Sequence, residues 1–240
     1  MITGKISKIE TMGLADGPGV RVVIFMQGCP LRCLYCHNPE MWNYDGGNVY
    51  KPEELLDIIK RYKNYFGSEG GVTFSGGDPL AQPEFLKECL KLCKQEGIHT
   101  CLDTSGVGNK KYFKDILEYV DLVILDIKAL DNKSYNEITK GYIDKSLDFL
   151  ETCQLLNKKL WLRSVVMPNI NDNDEYIIEL GSFIKTLKNI EKVELLPYHL
   201  MGITKYEKLG IDYILKDMNA MNKQRCIELQ SKLNKIIEIK

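Results

Sequence analysis

Arg21–Asn38 reads RVVIFMQGCPLRCLYCHN, a short apolar run that turns abruptly into a loop carrying three cysteines. The run Val22–Met26 has no charge, is rich in β-branched residues and stops at Gln27-Gly28, the pattern of a strand buried on both faces. Five further short apolar runs read as strands: Val72–Phe74, Thr100–Leu102, Leu122–Leu125, Leu160–Val166 and Val193–Leu196. Helical periodicity fills the intervals over Pro52–Tyr65, Pro83–Glu96, Lys110–Tyr119, Lys145–Asn157 and Asp174–Leu187, with a last helix over Asp217–Leu233. Strands alternating with helices predict repeated β/α units on a parallel sheet, and six units predict an α/β fold of the partial TIM-like type, a (β/α)6 barrel. Residues 1–240 read as one domain, because a chain of this length supports one core and no repeat or Pro/Gly/Ser linker divides it.

Each run ends in groups that a buried sheet would otherwise avoid. Gly76, Gly77 and Asp78 follow the second run, Asp103 and Thr104 the third, Asp126 and Lys128 the fourth, and His199 the sixth, while Arg163 interrupts the fifth. In parallel barrels the C-terminal strand ends form one shared mouth, so these groups are expected to meet there. Pairing within the fold would account for any single one of them, since buried charges need partners anyway. Recurrence at successive strand ends favours a site.

The spacing Cys29-x3-Cys33-x2-Cys36 lets three thiolates face one metal centre, and thiolates select zinc or iron-sulfur clusters. Structural zinc takes four ligands, whereas His37 directly follows Cys36 and is poorly placed as a fourth, and no second cysteine pair stands at zinc-finger spacing. Three ligands suggest a cluster with one iron left open. The other five cysteines, Cys89, Cys93, Cys101, Cys153 and Cys226, read as small buried hydrophobes.

Composition narrows the partners. A net charge of -1 with mixed signs along the chain gives no basic surface for phosphate backbones, so nucleic acid is not expected. MITGKISKIE lacks the apolar core of a signal peptide, and no stretch approaches the roughly 20 apolar residues that span a bilayer. A cytoplasmic protein without a membrane partner is the expectation, and reducing conditions there keep cysteines as thiols or ligands.

QGCPLRCLYCHNPEMW resembles the signature of the radical S-adenosylmethionine (SAM) superfamily, and more closely that of the glycyl-radical enzyme activating family, the pyruvate formate-lyase activating enzymes. The resemblance continues in order through DGPGVR (16–21), VTFSGGDPLAQ (72–82), GIHTCLDTSG (97–106), DLVILDIK (121–128), LWLRSVVMP (160–168) and ELLPYHLMG (194–202), where DGPGVR precedes the cysteine motif. It implies a radical SAM fold and an oxidoreductase of anaerobic glucose metabolism. Such an enzyme reductively cleaves SAM at one 4Fe-4S cluster and takes a hydrogen atom from a backbone glycine of a glycyl-radical enzyme. Pyruvate formate-lyase is the first candidate partner; another glycyl-radical enzyme, such as anaerobic ribonucleotide reductase, is the alternative. Flavodoxin or ferredoxin is the implied reductant. A non-catalytic iron-sulfur or zinc protein is the reading from a different class, and it leaves the glycine motif and the polar strand ends unexplained.

Residue by residue, the resemblance implies that Cys29, Cys33 and Cys36 ligate the cluster. It assigns SAM contacts to Tyr35, Cys36, His37, Gly76, Gly77, Asp78, Asp126, Ile127, Lys128, Arg163 and His199. Asp103, Thr104 and Asp126 resemble ligands of a monovalent cation, Na+ or K+, and Asp16 resembles the residue at the mouth that meets the partner's glycine loop. Two positions depart from the family pattern: Asp78 stands where Glu is usual, one methylene short, and Ile124 where some relatives have Met. With no cysteine between Cys36 and Gly76, a single cluster is expected.

Overall fold

Val22, Ile24 and Met26 join the main core with Leu55 and Ile59, whereas Val23 and Phe25 pack into a separate cluster with Met41. The strand is therefore buried on both faces, as its uncharged run requires. In the computed structural model, which describes residues 2–238, this strand is β2 (Arg21–Met26), the start of a parallel series. The series continues through β4 (Gly71–Gly76), β5 (His99–Thr104), β6 (Leu122–Asp126), β7 (Lys159–Val166) and β8 (Ile190–Pro197), each paired in parallel with the one before. All six apolar runs of the sequence are strands of this series.

Two further strands lie outside that reading. β1 (Gly4–Gly13) and β3 (Asn48–Tyr50) pair antiparallel on the near edge, giving an eight-stranded sheet in the order β3-β1-β2-β4-β5-β6-β7-β8. The alternation of β1 is broken by register shifts between Ile6 and Lys8 and between Glu10 and Gly13, which hides its period of two. Since β3 and β8 are the two ends, the sheet curls without closing, a partial barrel.

The connecting helices are α1 (Pro52–Arg61), α2 (Pro83–Gln95), α3 (Phe113–Leu117), α4 (Asn132–Thr139), α5 (Ile143–Leu155), α6 (Asp174–Lys185), α7 (Ile203–Leu209) and α8 (Lys223–Ile237). α4 and α7 escape a periodicity search, being short, and α7 buries only Tyr206. The Lys110–Tyr119 helix opens with a 3-10 turn over Lys110–Tyr112, and the last helix starts six residues later than its apolar pattern, where the Asn222 side chain accepts from the N–H of Arg225 and caps it. Among the described residues no helix is long and apolar enough to cross a membrane.

An open sheet leaves unpaired backbone groups on its last strand, which invites a foreign strand. Here α8 covers the outer edge of β8. The Gln230 amide accepts from the Leu195 N–H at 2.7 Å and donates to the Val193 carbonyl at 3.2 Å, standing in for one residue of a ninth strand. Replacing Gln230 with Ala strands both backbone groups and is expected to cost about 1–3 kcal/mol, read as a lower urea midpoint at unchanged slope.

Candidate active site

The cysteine loop after β2 has little regular structure of its own and is held by hydrogen bonds from other elements. Its root is tied to the glycine turn after β4: Gly77 N–H donates to Met26 O at 2.8 Å and Asp78 N–H to Gly28 O at 2.9 Å. Its middle leans on the end of α4, where Arg32 N–H donates to Thr139 O at 2.8 Å and Leu34 N–H to Ile138 O at 2.9 Å. Its far leg is gripped from α7. There the Tyr206 hydroxyl donates to Cys36 O at 3.0 Å, and the Lys205 ammonium reaches Asn38 Oδ1 at 2.7 Å and Glu40 Oε1 at 2.5 Å.

This anchoring turns all three thiols toward one cavity of about 330 Å3 at the C-terminal strand ends. Gly76 and Gly77 border it with bare backbone. Gly76 has φ +120°, and a Cβ there would lie 2.3 Å from Met26 N; one on Gly77 would lie 2.3 Å from Gly28 O. Only glycine fits this approach of two chains. Tyr35, His37, Asp103, Thr104, Asp126, Lys128, Arg163 and His199 border the same space, which therefore gathers nearly every residue singled out at the strand ends.

Three expected positions lie differently. Asp78 does not border the cavity: its side chain is turned away, 1 % exposed and hydrogen-bonded on every side. Ile127 is also outside it, packed in the helix-side core with its N–H donating to Arg163 O at 2.7 Å. Asp16 borders the cavity but reaches it from the opposite end of the strands. It sits in the turn between β1 and β2, with its carbonyl accepting from Thr73 Oγ1, midway along β4, at 2.6 Å. Arg21, wholly buried, fixes that turn by donating to Pro18 O, Glu69 O, Val72 O and Thr73 Oγ1.

The barrel interior carries charge where a packed barrel would carry aliphatic side chains. Lys128 and Asp126 pair at 2.6 Å. Arg163 lies 3.3 Å from Glu194 and 3.9 Å from Asp103, and it donates to the Ala15 carbonyl in the turn between β1 and β2. Burial pushes the Asp103 carboxyl above its usual range, and the neighbouring Asp126 adds to the push, against the pull of Arg163. For Lys128 burial pulls downward, but Asp126, Tyr35 and Cys33 together outweigh it and the ammonium is held well above its normal value. The His37 and His199 rings meet at a tilt of 58° with centroids 3.7 Å apart, and burial lowers both, leaving neutral imidazoles at pH 7; the buried Nδ1 of His199 has no hydrogen-bond partner.

The thiols set what the loop can hold. Burial raises all three, Cys33 to about 11, so without a metal they are protonated at neutral pH and loading must release protons. Among the described residues no group of three or more His, Cys, Asp or Glu side chains could hold a single metal ion. Tetrahedral zinc needs its sulfurs about 2.3 Å from one point. A 4Fe-4S cluster takes each cysteine on a separate iron, and Cys29, Cys33 and Cys36, which border one cavity, are the residues that would hold it.

Sequence reasoning missed Tyr206, Lys205, Glu194 and Ser75, the last donating to Asp103 Oδ2 at 2.8 Å. Ser75 precedes the glycine pair and Glu194 stands beside Arg163 in strand register, so alternation along β4 and β8 carried a signal for those two. Nothing in the sequence points α7 at the cysteine loop.

The charged interior has a cost that can be measured. Asp103 has a raised carboxyl in the folded chain, so its contribution to stability is fully present below the unfolded value near 3.8 and is lost as pH rises through the folded value. Asp103→Asn should therefore stabilise the metal-free protein at pH 8 relative to pH 5, by roughly 2–4 °C in melting temperature for each kcal/mol recovered, as thermal unfolding at the two pH values will report.

Comparison with known proteins agrees with this arrangement. Residues 23–181 match the radical SAM superfamily. The chain is 51% identical over 239 residues to a pyruvate formate-lyase-activating enzyme of Clostridium pasteurianum, covering 99% of this chain and 100% of that one. Among solved structures, a domain of a pyruvate-formate lyase-activating enzyme from Bacteroides vulgatus ATCC 8482 superposes with a TM-score of 0.56 at 25% identity, over 70% of this chain and 93% of that one. Streptococcus suis SuiB, bound to its precursor peptide SuiA, superposes at 0.67 over 90% of this chain and 46% of that one; at 21% identity it speaks for the fold alone. With a cysteine loop, a glycine turn and charged strand ends opening on one cavity of a partial barrel, and with this similarity along its length, the chain belongs to the radical SAM superfamily and, within it, to the pyruvate formate-lyase-activating enzymes.

Proposed function

We propose that this chain, acting as one domain, is the activase that installs a glycyl radical on pyruvate formate-lyase. One observation carries the reading: the three thiols of the cysteine loop, the bare Gly76-Gly77 backbone and the cationic Lys128 and Arg163 all border the same cavity. When bound there, a 4Fe-4S cluster and SAM supply reductive cleavage of the sulfonium and abstraction of a hydrogen atom from glycine.

The chain's own residues bind, orient and seal. Cys29, Cys33 and Cys36 would hold three corners of the cluster and leave the fourth for SAM. Gly76 and Gly77 would approach the amino-acid end of SAM as backbone, while Lys128 and Arg163 offset the charge of its carboxylate. Tyr35, His37 and His199 would form an apolar and neutral wall, since neither imidazole carries charge at pH 7. Asp103, Thr104 and Asp126 offer oxygens for Na+ or K+, the hard donors such an ion takes. With Asp16 reaching the cavity from the far end of the strands, the target glycine would enter as an extended loop that displaces water along the interior. Flavodoxin or ferredoxin would deliver the electron in the cytoplasm, and the reaction asks for neither a membrane nor a nucleic acid.

Two measurements test this. Anaerobically reconstituted protein should give a glycyl radical signal by electron paramagnetic resonance on pyruvate formate-lyase with SAM and reductant; no signal there, with a signal on another glycyl-radical enzyme, would reassign the partner. Cys33→Ala should abolish both the signal and 5'-deoxyadenosine release, and zinc in place of iron in the native protein would point to the non-catalytic class.

A further inference from the structure

Trp42 closes the stretch QGCPLRCLYCHNPEMW, and the function proposed above leaves it without a task. It follows the 3-10 turn Pro39–Met41, where its backbone N–H donates to Pro39 O at 3.1 Å, and it borders the cavity together with Cys36 and Asn38. Two side chains fix its indole. The Arg32 guanidinium lies 5.2 Å from the ring centroid while donating to Cys29 O at 2.8 Å and Leu31 O at 2.7 Å. The Tyr206 ring meets the indole edge-on with centroids 5.7 Å apart, and its hydroxyl holds Cys36 O. Each clamp is itself bonded to the backbone of a cysteine, so the indole is placed relative to the thiols.

An indole N–H is a donor with no acceptor beside it. At Cys36 it joins a backbone donor, the Asn38 N–H, which reaches Sγ at 3.4 Å. Burial raises the Cys36 thiol, while the Asn38 N–H, the Lys128 ammonium and a hydrogen bond from the Trp42 side chain all act against that rise, as groups that favour negative sulfur do. The same preference bears on a cluster. Reduction adds negative charge that spreads onto the cysteine sulfurs, so each N–H donated to them favours the reduced form and raises the potential. Almost any residue at position 38 supplies the backbone N–H, whereas the donor at position 42 depends on the side chain.

We propose that Trp42 tunes the 4Fe-4S cluster by donating its indole N–H to the Cys36 sulfur, which raises the potential at which the cluster accepts its electron. The inference rests on the reading of the cavity given above and involves neither SAM nor the target glycine. A ring that only packed between Arg32 and Tyr206 would contribute to stability and leave the potential where it was.

The test is a redox titration of anaerobically reconstituted protein without SAM, followed by electron paramagnetic resonance, with iron content measured beside it. Trp42→Phe keeps an aromatic ring for Arg32 and Tyr206 but has no N–H. It should shift the reduction equilibrium about tenfold toward the oxidised cluster, a fall of about 59 mV for a one-electron couple. Electron-nuclear double resonance after exchange into D2O should show one exchangeable proton fewer beside the reduced cluster. Benzothienylalanine in place of Trp42 replaces the N–H by sulfur in a ring of nearly the same shape and should give the same fall, and it decides the matter where Trp42→Phe takes up less iron. An unchanged or raised potential in the benzothienylalanine protein overturns the inference whatever its melting temperature, because the ring then only packs. Native protein that takes up no iron would overturn the reading of the cavity itself, and this inference with it.

Discussion

Hydrogen bonds to the backbone of an otherwise irregular loop are the constraint on which this protein depends. Residues 27–38 form neither helix nor strand, and a loop of that kind would sample many shapes if nothing held it. Backbone groups at Met26, Gly28, Arg32, Leu34 and Cys36 are fixed from three parts of the chain: the turn after β4, the end of α4 and the hydroxyl of Tyr206 on α7. Three cysteines can face one cavity only because these ties come from elements that the barrel has already placed.

The interior of the partial barrel shows the opposite choice from a stability-driven core. Asp103, Asp126, Lys128, Arg163 and Glu194 occupy a region where apolar side chains would pack with less desolvation. Their mutual pairing keeps the burial tolerable. The contact of Arg163 with the Ala15 carbonyl joins β7 to the turn that carries Asp16. Charge balance inside the barrel and the tie from β7 to the β1–β2 turn thus share one residue, Arg163, and alteration of either will be felt by the other.

At the strand ends the same physics produces a graded surface. Backbone without side chains at Gly76 and Gly77 borders the same cavity as the paired charges of Asp126 and Lys128 and the two imidazoles of His37 and His199. This is a matter of side-chain direction, which the strands set through their alternation.

Six short apolar runs separated by helical stretches specify the parallel strands through local chemistry, because each favours burial in a sheet whatever its neighbours are. The cysteine spacing and the polar residues at strand ends are equally legible, since they break a pattern that burial would otherwise enforce. Other features depend on contacts between residues far apart in the chain. β1 is masked by its own bulges, α4 and α7 are too short to show a period, and Tyr206 meets Cys36 across 170 positions. The direction of a side chain at the end of a strand belongs to this second class: Asp78 reads as a ligand from its neighbours in sequence and becomes a buried acceptor only once β5 brings Thr104 and Ser105 beside it. Local burial preferences can be written in a linear code, whereas which donor meets which acceptor is decided by the closing of the fold.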